Sequence, residues 1–281
     1  MNLAKFEMPQ KIGLFVFFLF FAILALFPFY CLLLASFKPT TELLRAGINV
    51  KLQQELLSWV NYKLIFSAEG QRYFYWYRNS LVVTALQTFF SLFFSAFVGY
   101  GLGIYKFKGR DFLFALVILT MMIPIEILLL PLYKTMIALR LVNSYAGIIL
   151  PFIVPPFAIF FFRQYSLGLP KDLLDAARID GCTELGMYFR VMLPLMAPAF
   201  GAMAILQALF SWNSLLWPLI VLRTPEMFTM PIGLASLITP YGNNYALLMP
   251  GAALAVLPLL ILFLLFQRAF ISGLTIGAVK G

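Results

Sequence analysis

The sequence predicts an all-α fold, a polytopic bundle of transmembrane helices, and three observations predict it. Only 11% of the 281 residues are charged and 63% are hydrophobic, whereas a soluble globule carries about 25% charged residues. Uncharged runs recur that reach the ~20 residues a helix needs to cross a bilayer. The charged residues gather in the segments between those runs.

The first run lies between Lys11 and Lys38, 26 uncharged residues with Pro28 placed to kink it late. It is long and lacks a clear small-x-small cleavage site, so it reads as a retained span rather than a removed signal. Residues 38–77 are mixed in polarity and read as an interfacial connector, in which "ELLSWVNYKLIF" offers one short amphipathic helix. The aromatics Tyr73 to Tyr77 are expected at the interface before the next helix. Span two covers 79–105; its Gly99, Gly101 and Gly103 suggest close helix contact or a flexible end. After the polar link "KFKGRD", span three covers about 112–133 and contains Pro124 and Glu126. Glu126 reads either as a capping or pairing group near a broken helix or as part of a gate or path. A buried isolated carboxylate would need a donor or a proton.

Span four covers about 142–162, with Pro151, Pro155 and Pro156 predicting a kink or partial unwinding. Span five is expected from near Leu195 to near Leu222, within 32 uncharged residues that tilt can absorb. It includes "SWNSLLWPL", where Trp212 suits an interface and Asn213 needs a hydrogen-bond partner if buried. A connector rich in Thr, Pro, Gly and Asn follows at 223–244. Span six is about 245–266. Six spans put both termini on one side. With the termini inside, 11 of the 20 Lys and Arg are cytoplasmic, and six of the other nine lie in the single long segment Lys38 to Arg78. That density bias favours cytoplasmic termini.

The net charge of +9 does not predict nucleic-acid binding, because the basic residues are scattered among connectors. Anionic membrane lipid and topology account for them. Cys31 and Cys182 imply no disulfide framework, and the absence of histidine excludes the usual zinc patterns and His-based triads. No G-x-x-x-x-G-K-[ST] phosphate loop occurs.

Residues 169–194 interrupt the apolar pattern. Pro170 suits a helix start, Asp172 and Asp175 its early turns, Arg178 its carbonyl end and Gly181 its left-handed stop. A helix over 171–180 is predicted, about 15 Å long. Leu173, Ala176 and Ala177 follow the spacing that shares a face, and the alanines would let another surface come close. A second segment, about 183–192, leads through Leu193–Pro194 into span five. The bland reading is a surface helix that merely joins two spans.

The same residues resemble the EAA signature of bacterial ABC importer permeases: Glu-Ala-Ala, three residues, Gly, nine residues, Ile-x-Leu-Pro. Here it stands as Asp175-Ala176-Ala177, Gly181 and Val191-Met192-Leu193-Pro194, with Asp180 before the glycine as in the sugar-importing branch. Asp175 replaces the usual Glu, Val191 the Ile, and Cys182 a common Ala. "SWNSLLWPL" at 211–219 and "QRAFISGLTIGAVKG" at 267–281 also resemble the MalG-type carbohydrate permeases. The resemblance spans nearly the whole chain. It implies one transmembrane permease domain over 1–281, with the six-span, MetI-like fold of type I importers, in a bacterial cell membrane. It also implies a coupling helix at about 169–194, with Leu173, Leu174, Asp175, Ala176, Ala177, Asp180, Gly181, Val191, Leu193 and Pro194 linking it to a separate ATPase.

The implied partners are a second related permease, two cytoplasmic ABC ATPase subunits and an extracytoplasmic sugar-binding protein. The implied cargo is a carbohydrate, an oligosaccharide or glycoside. No cofactor is expected on this chain; ATP would be used by partner subunits, and the chain itself is not expected to be an enzyme. Glu126, Trp212 and Asn213 are candidates for the translocation path or a gate, with packing roles equally open. The rival class is an ion- or proton-coupled secondary transporter, resting on Glu126; an intramembrane enzyme is weaker still. If Ala176 and Ala177 face an ATPase groove, bulk there blocks docking.

Overall fold

The computed structural model describes residues 8–48, 50–67, 70–170, 172–239 and 242–276; Lys5, Lys171, Lys280 and the end of the tail motif at 277–281 lie outside the described residues. In chain order the helices are α1 (Met8–Ser36), α2 (Thr40–Ala46), α3 (Val60–Ile65), α4 (Gln71–Ile104), α5 (Arg110–Met121), α6 (Ile125–Ala138), α7 (Tyr145–Ile149) and α8 (Pro156–Leu167). They continue as α9 (Asp172–Ile179), α10 (Glu184–Met187), α11 (Leu193–Leu195), α12 (Ala197–Trp212), α13 (Leu216–Val221), α14 (Met230–Ser236) and α15 (Tyr245–Ile276). A two-stranded hairpin, β1 (Ile238–Thr239) and β2 (Gly242–Asn243), pairs Ile238 with Asn243 and Thr239 with Gly242.

Among the described residues, three helices are individually long and apolar enough to cross a membrane: α1, α4 and the Tyr245–Arg268 part of α15. None of the most apolar window of α1 is buried within the chain. Exposed Phe15, Phe17, Phe18, Phe20 and Phe21 would be untenable in water and are at home in lipid. A helix satisfies its own backbone groups, the requirement for any segment crossing hydrocarbon. This is a membrane-embedded, multi-pass helical protein.

Three further segments reach spanning length only as bent pairs, and each bend has a local cause. The pair α5 and α6 bends by 102° around Met122–Pro124. Span three is therefore not one straight helix, as Pro124 lacks the amide donor that would continue it. Tyr145–Phe152 and α8 bend by 44° at Pro155 and Pro156, the kink the sequence predicts. The run Glu184–Leu195 meets α12 at 75°. The expectation of one tilted span from Leu195 to Leu222 also needs correction: α12 stops at Trp212, and α13 restarts only at Leu216. The aromatics expected before span two instead form the first turns of α4, where Tyr73 and Trp76 are buried.

The chain packs as two compact units. One comprises Met1–Tyr73 and Leu234–Val256. In it Leu34 and Ala35 at the end of α1 are buried, and Ala35 packs with Leu43 and Met249. Asn61 Nδ2 donates to the carbonyls of Ser36 (3.1 Å) and Lys38 (2.7 Å), which satisfies acceptors left open at the end of α1.

The other unit comprises Phe74–Gly233 and Leu257–Gly281. Its helices α4 and α8 approach closely at Gly99, where an added Cβ would lie 2.7 Å from Phe162 Cβ and 2.8 Å from the Arg163 nitrogen. Gly103, one turn on, faces Ser166, while Gly101 faces open space among the described residues. The expected glycine contact is thus made by the four-residue pair alone. Across α5 and α8, Phe114 stacks on Phe160 at 6.1 Å, and the Arg163 guanidinium lies 3.7 Å from the Phe114 ring centre. The start of α4 holds the connector after α13: Trp76 Nε1 donates to the Pro225 carbonyl, and Asn79 Nδ2 to those of Glu226 and Phe228.

Candidate functional site

The segment Asp172–Leu195 is built from two helical pieces and a turn. Asp172 and Asp175 occupy the first turn of α9 and Arg178 its last, each at the end its charge suits. Arg178 also pairs with Asp175 at 3.0 Å. Beyond Ile179 the chain closes in a Schellman motif. The Cys182 amide donates to the Ala177 carbonyl (2.9 Å) and the Gly181 amide to that of Arg178 (3.0 Å), with Gly181 at φ +78°. The left-handed stop expected of Gly181 is present. Thr183 then caps α10, its hydroxyl accepting the Gly186 amide at 3.1 Å.

From α10 the chain passes through a π turn, Tyr188–Met192, into α11. Pro194 has no amide to donate and its ring crowds the carbonyl four residues back, so a widened turn just before it relieves both problems. Met196 then marks the bend into α12.

The burial pattern of α9 divides its residues differently from the sequence expectation. Leu174 and Ala177 are buried in a cluster with Tyr100 of α4 and with Met187, Tyr188 and Met192. Cys182, Val191 and Leu193 pack against the same cluster. Leu173, Asp175, Ala176, Ile179 and Asp180 are exposed, Ile179 to 87%. The two alanines therefore do not share an open docking face. Ala177 is the close-packing residue of an internal seat, and Ala176 lies on the outer surface with Leu173. The i, i+3 pair Leu174 and Ala177 takes the inward stripe because the Schellman turn folds the following segment back onto it.

Sequence reasoning also passed over Tyr100, Tyr105, Met187, Tyr188, Met192 and Glu184. Tyr188 stacks obliquely on Tyr100 at 5.1 Å and edge-on to Phe97 at 5.2 Å. The signal for the seat was there: Met187, Tyr188, Val191 and Met192 recur at helical spacing. Their partner, the end of α4, is some 80 residues away in sequence, and no local pattern names it.

The remaining candidates stand apart on other elements. Glu126 is exposed in the first turn of α6, directly after the break at Pro124. Trp212 is buried at the end of α12, edge-on to Tyr77 at 5.8 Å. Asn213 is exposed and donates back to the Leu209 carbonyl at 2.9 Å, so it finds its partner in its own helix end.

A helix, a glycine turn and a second helix leading into a membrane segment thus stand where the signature places them. The family model described as "binding-protein-dependent transport system inner membrane component" matches residues 91–276, more than half of the chain and the whole of this segment. The chain belongs to that family. The permease is 58% identical over 271 residues to the arabinooligosaccharides transport system permease protein AraQ of Bacillus subtilis (strain 168), with 96% of each chain covered. It is 32% identical to the lactose transport system permease protein LacG of Rhizobium radiobacter, over 92% of each chain. Among solved structures, it is similar to a chain in the crystal structure of a bacterial ABC transporter involved in the import of the acidic polysaccharide alginate. The TM-score is 0.79 at 21% identity, over 94% of the permease and 99% of that chain. That likeness is one of fold, and it agrees with the importer-permease architecture the motifs imply.

Proposed function

We propose that this permease forms half of the membrane pathway of an ATP-driven importer that carries arabino-oligosaccharides into the bacterial cytoplasm. The permease is the membrane subunit of a carbohydrate-importing ABC transporter. The observation that carries the sugar class is the 58% identity to AraQ over 96% of both chains. In this reading the three single helices and three bent pairs are six spans of one permease domain, and both termini are cytoplasmic. A second related permease completes the pathway. Two ABC ATPase subunits supply hydrolysis, and an extracytoplasmic binding protein delivers the sugar. ATP is bound by those partners and not by this chain.

Helix α9 is the coupling helix. Its outer residues Leu173, Asp175, Ala176 and Asp180, together with Ile179, form the face that docks in the ATPase. Leu174, Ala177, Val191 and Leu193 form the seat that transmits the push, Gly181 sets the turn, and Pro194 leads it towards α12. Leu173 and Ile179 together leave apolar surface exposed on this short polar helix, which supports a docking role for its outer face. Glu126, Trp212 and Asn213 are assigned to the sugar path or its gate. All three lie at helix breaks or ends, where irregular backbone in a membrane must face protein or water. Rigid-body rocking of helix bundles gives alternating access, and ATP binding drives it only through a difference in affinity between the two states.

The test is reconstitution of the permease with its partner permease, ATPase and binding protein in proteoliposomes. Uptake of a labelled arabino-oligosaccharide should require ATP on the cytoplasmic face and stop with vanadate. Uptake driven by an ion gradient without ATP would overturn the reading. Ile179→Cys should crosslink to the ATPase in the same preparation.

A further inference from the structure

Five polar side chains form a connected line across the Gly181 turn. Tyr105, the first residue beyond α4, donates its hydroxyl to Glu184 Oε2. The other carboxylate oxygen of Glu184 lies 3.7 Å from Arg178 Nε, and Arg178 in turn meets Asp175 at 3.0 Å. Behind Tyr105, the Tyr100 hydroxyl is 3.4 Å from the Tyr105 hydroxyl, and the Tyr100 ring is buried in the seat. One carboxylate thus touches the end of a long helix on one side and α9 on the other.

We propose that Glu184 is a positioning residue for coupling: it ties the end of α4 to α9 across the glycine turn and sets the angle at which α9 is presented to the ATPase. The inference deepens the coupling-helix reading and rests on it.

The strengths of the contacts decide what the brace does. The Arg178 and Glu184 side chains are 44% and 58% exposed, and pairs of that kind add little to stability. The hold on α9 comes from burial of Leu174 and Ala177. Those two side chains stand in the middle of the eight-residue helix and the Schellman hydrogen bonds hold the turn, so Glu184 adds a polar tie between Arg178 of α9 and Tyr105. Glu184 meets α9 at Arg178, close to the turn, where a small displacement becomes a larger one at the far end of the helix. Its loss therefore leaves the complex assembled but lets α9 yield when the ATPase pushes. Hydrolysis continues and less of it becomes transport.

The experiment measures sugar imported per ATP hydrolysed by the full complex in proteoliposomes. It compares the unmodified protein with Glu184→Ala, Glu184→Gln, Tyr105→Phe and the Tyr105→Phe/Glu184→Ala double variant. Glu184→Ala should lower that ratio by about two- to five-fold, the range spanned by exposed charged and hydrogen-bonded pairs. Glu184→Gln should recover part of it, because the amide oxygen still accepts from Tyr105. The double variant should be no worse than Glu184→Ala, since both remove one connection. Co-purification with the ATPase and the melting temperature should stay unchanged.

A normal ratio in Glu184→Ala, additive losses in the double variant, or a loss that follows disassembly would each overturn the proposal. Ile179→Cys, in an otherwise unmodified complex, distinguishes failure of the brace from failure of the coupling helix. Crosslinking to the ATPase with a normal Glu184→Ala ratio removes the brace and leaves the coupling helix. No crosslinking in a transport-competent complex removes both.

Discussion

Gly99 and Gly181 are both indispensable glycines in appearance, yet the molecule uses them for opposite reasons. Gly99 lies within regular helix, and what it supplies is room: α8 passes so close that a Cβ would sit 2.7 Å from Phe162 Cβ. Gly181 has open space around it among the described residues, and what it supplies is a backbone at φ +78°. In the membrane core, close approach is itself the source of attraction, because lipid offers no hydrophobic drive between helices. At the Gly181 turn, the need is for a sharp end to α9 that folds the next segment back against Leu174 and Ala177. A need for space and a need for backbone angle therefore predict different spectra of tolerated substitutions.

The largest expected effect is at Gly99. Gly99→Val places a branched side chain against the Arg163 backbone and the Phe162 stem, neither of which can swing aside. Overpacking costs about 1–3 kcal/mol or more where backbone must move. The variant should fail to accumulate in membranes or melt well below the parent protein in detergent. An unchanged melting temperature would break the contrast, because it would show that α4 and α8 need no close approach.

Ala177→Leu comes next. The added carbons enter the cluster of Tyr100, Met187, Tyr188 and Met192, at a cost of about 1–3 kcal/mol that the adaptable methionines can soften. ATP hydrolysis should persist while sugar uptake falls, because α9 is displaced from its seat. Ala176→Leu adds the same bulk to the outer surface and should weaken ATPase co-purification without lowering the melting temperature. If both variants lost only co-purification, the division of α9 into an inner and an outer face would be wrong.

That division marks where the sequence stopped being legible. The ends of α9 are written locally, in Asp172, Asp175, Arg178 and Gly181, and they were readable. The class of fold was readable too, from run length and charge. Which alanine turns inward was not, because it depends on Tyr100 and Tyr188 arriving from elsewhere. The bend of 102° between α5 and α6 was half-written: Pro124 announced a break, but the angle is set by packing. The stop of α12 at Trp212 was missed because tilt was an equally good account of 32 uncharged residues. Glu184 lay in plain view as one charge among several, and only tertiary structure joins it to Tyr105.

Gly181→Ala should have a smaller and more selective effect than either core change. The left-handed conformation costs a non-glycine residue about 1–2 kcal/mol, and nothing nearby clashes. Asparagine visits that region more readily, so Gly181→Asn should retain more transport than Gly181→Ala despite its larger side chain. Transport rates of the two variants at matched expression would decide it. If alanine outperformed asparagine, size rather than backbone angle would be the constraint, and Gly181 would belong with Gly99.

The smallest effect is expected at Gly101, and it sharpens the whole comparison because it lies between Gly99 and Gly103 on the same helix. A Cβ there meets nothing within 4 Å among the described residues, and its φ lies outside the left-handed region. Neither of the two demands, space or backbone angle, applies. Alanine is the better helix former by roughly 0.5–1 kcal/mol. Gly101→Ala should therefore melt at or slightly above the parent temperature and transport normally. A loss as large as that of Gly99→Val, confined to the assembled complex, would mean that Gly101 is reserved for the close approach of a partner chain. A loss of transport with stability intact would mean instead that α4 must flex near its end.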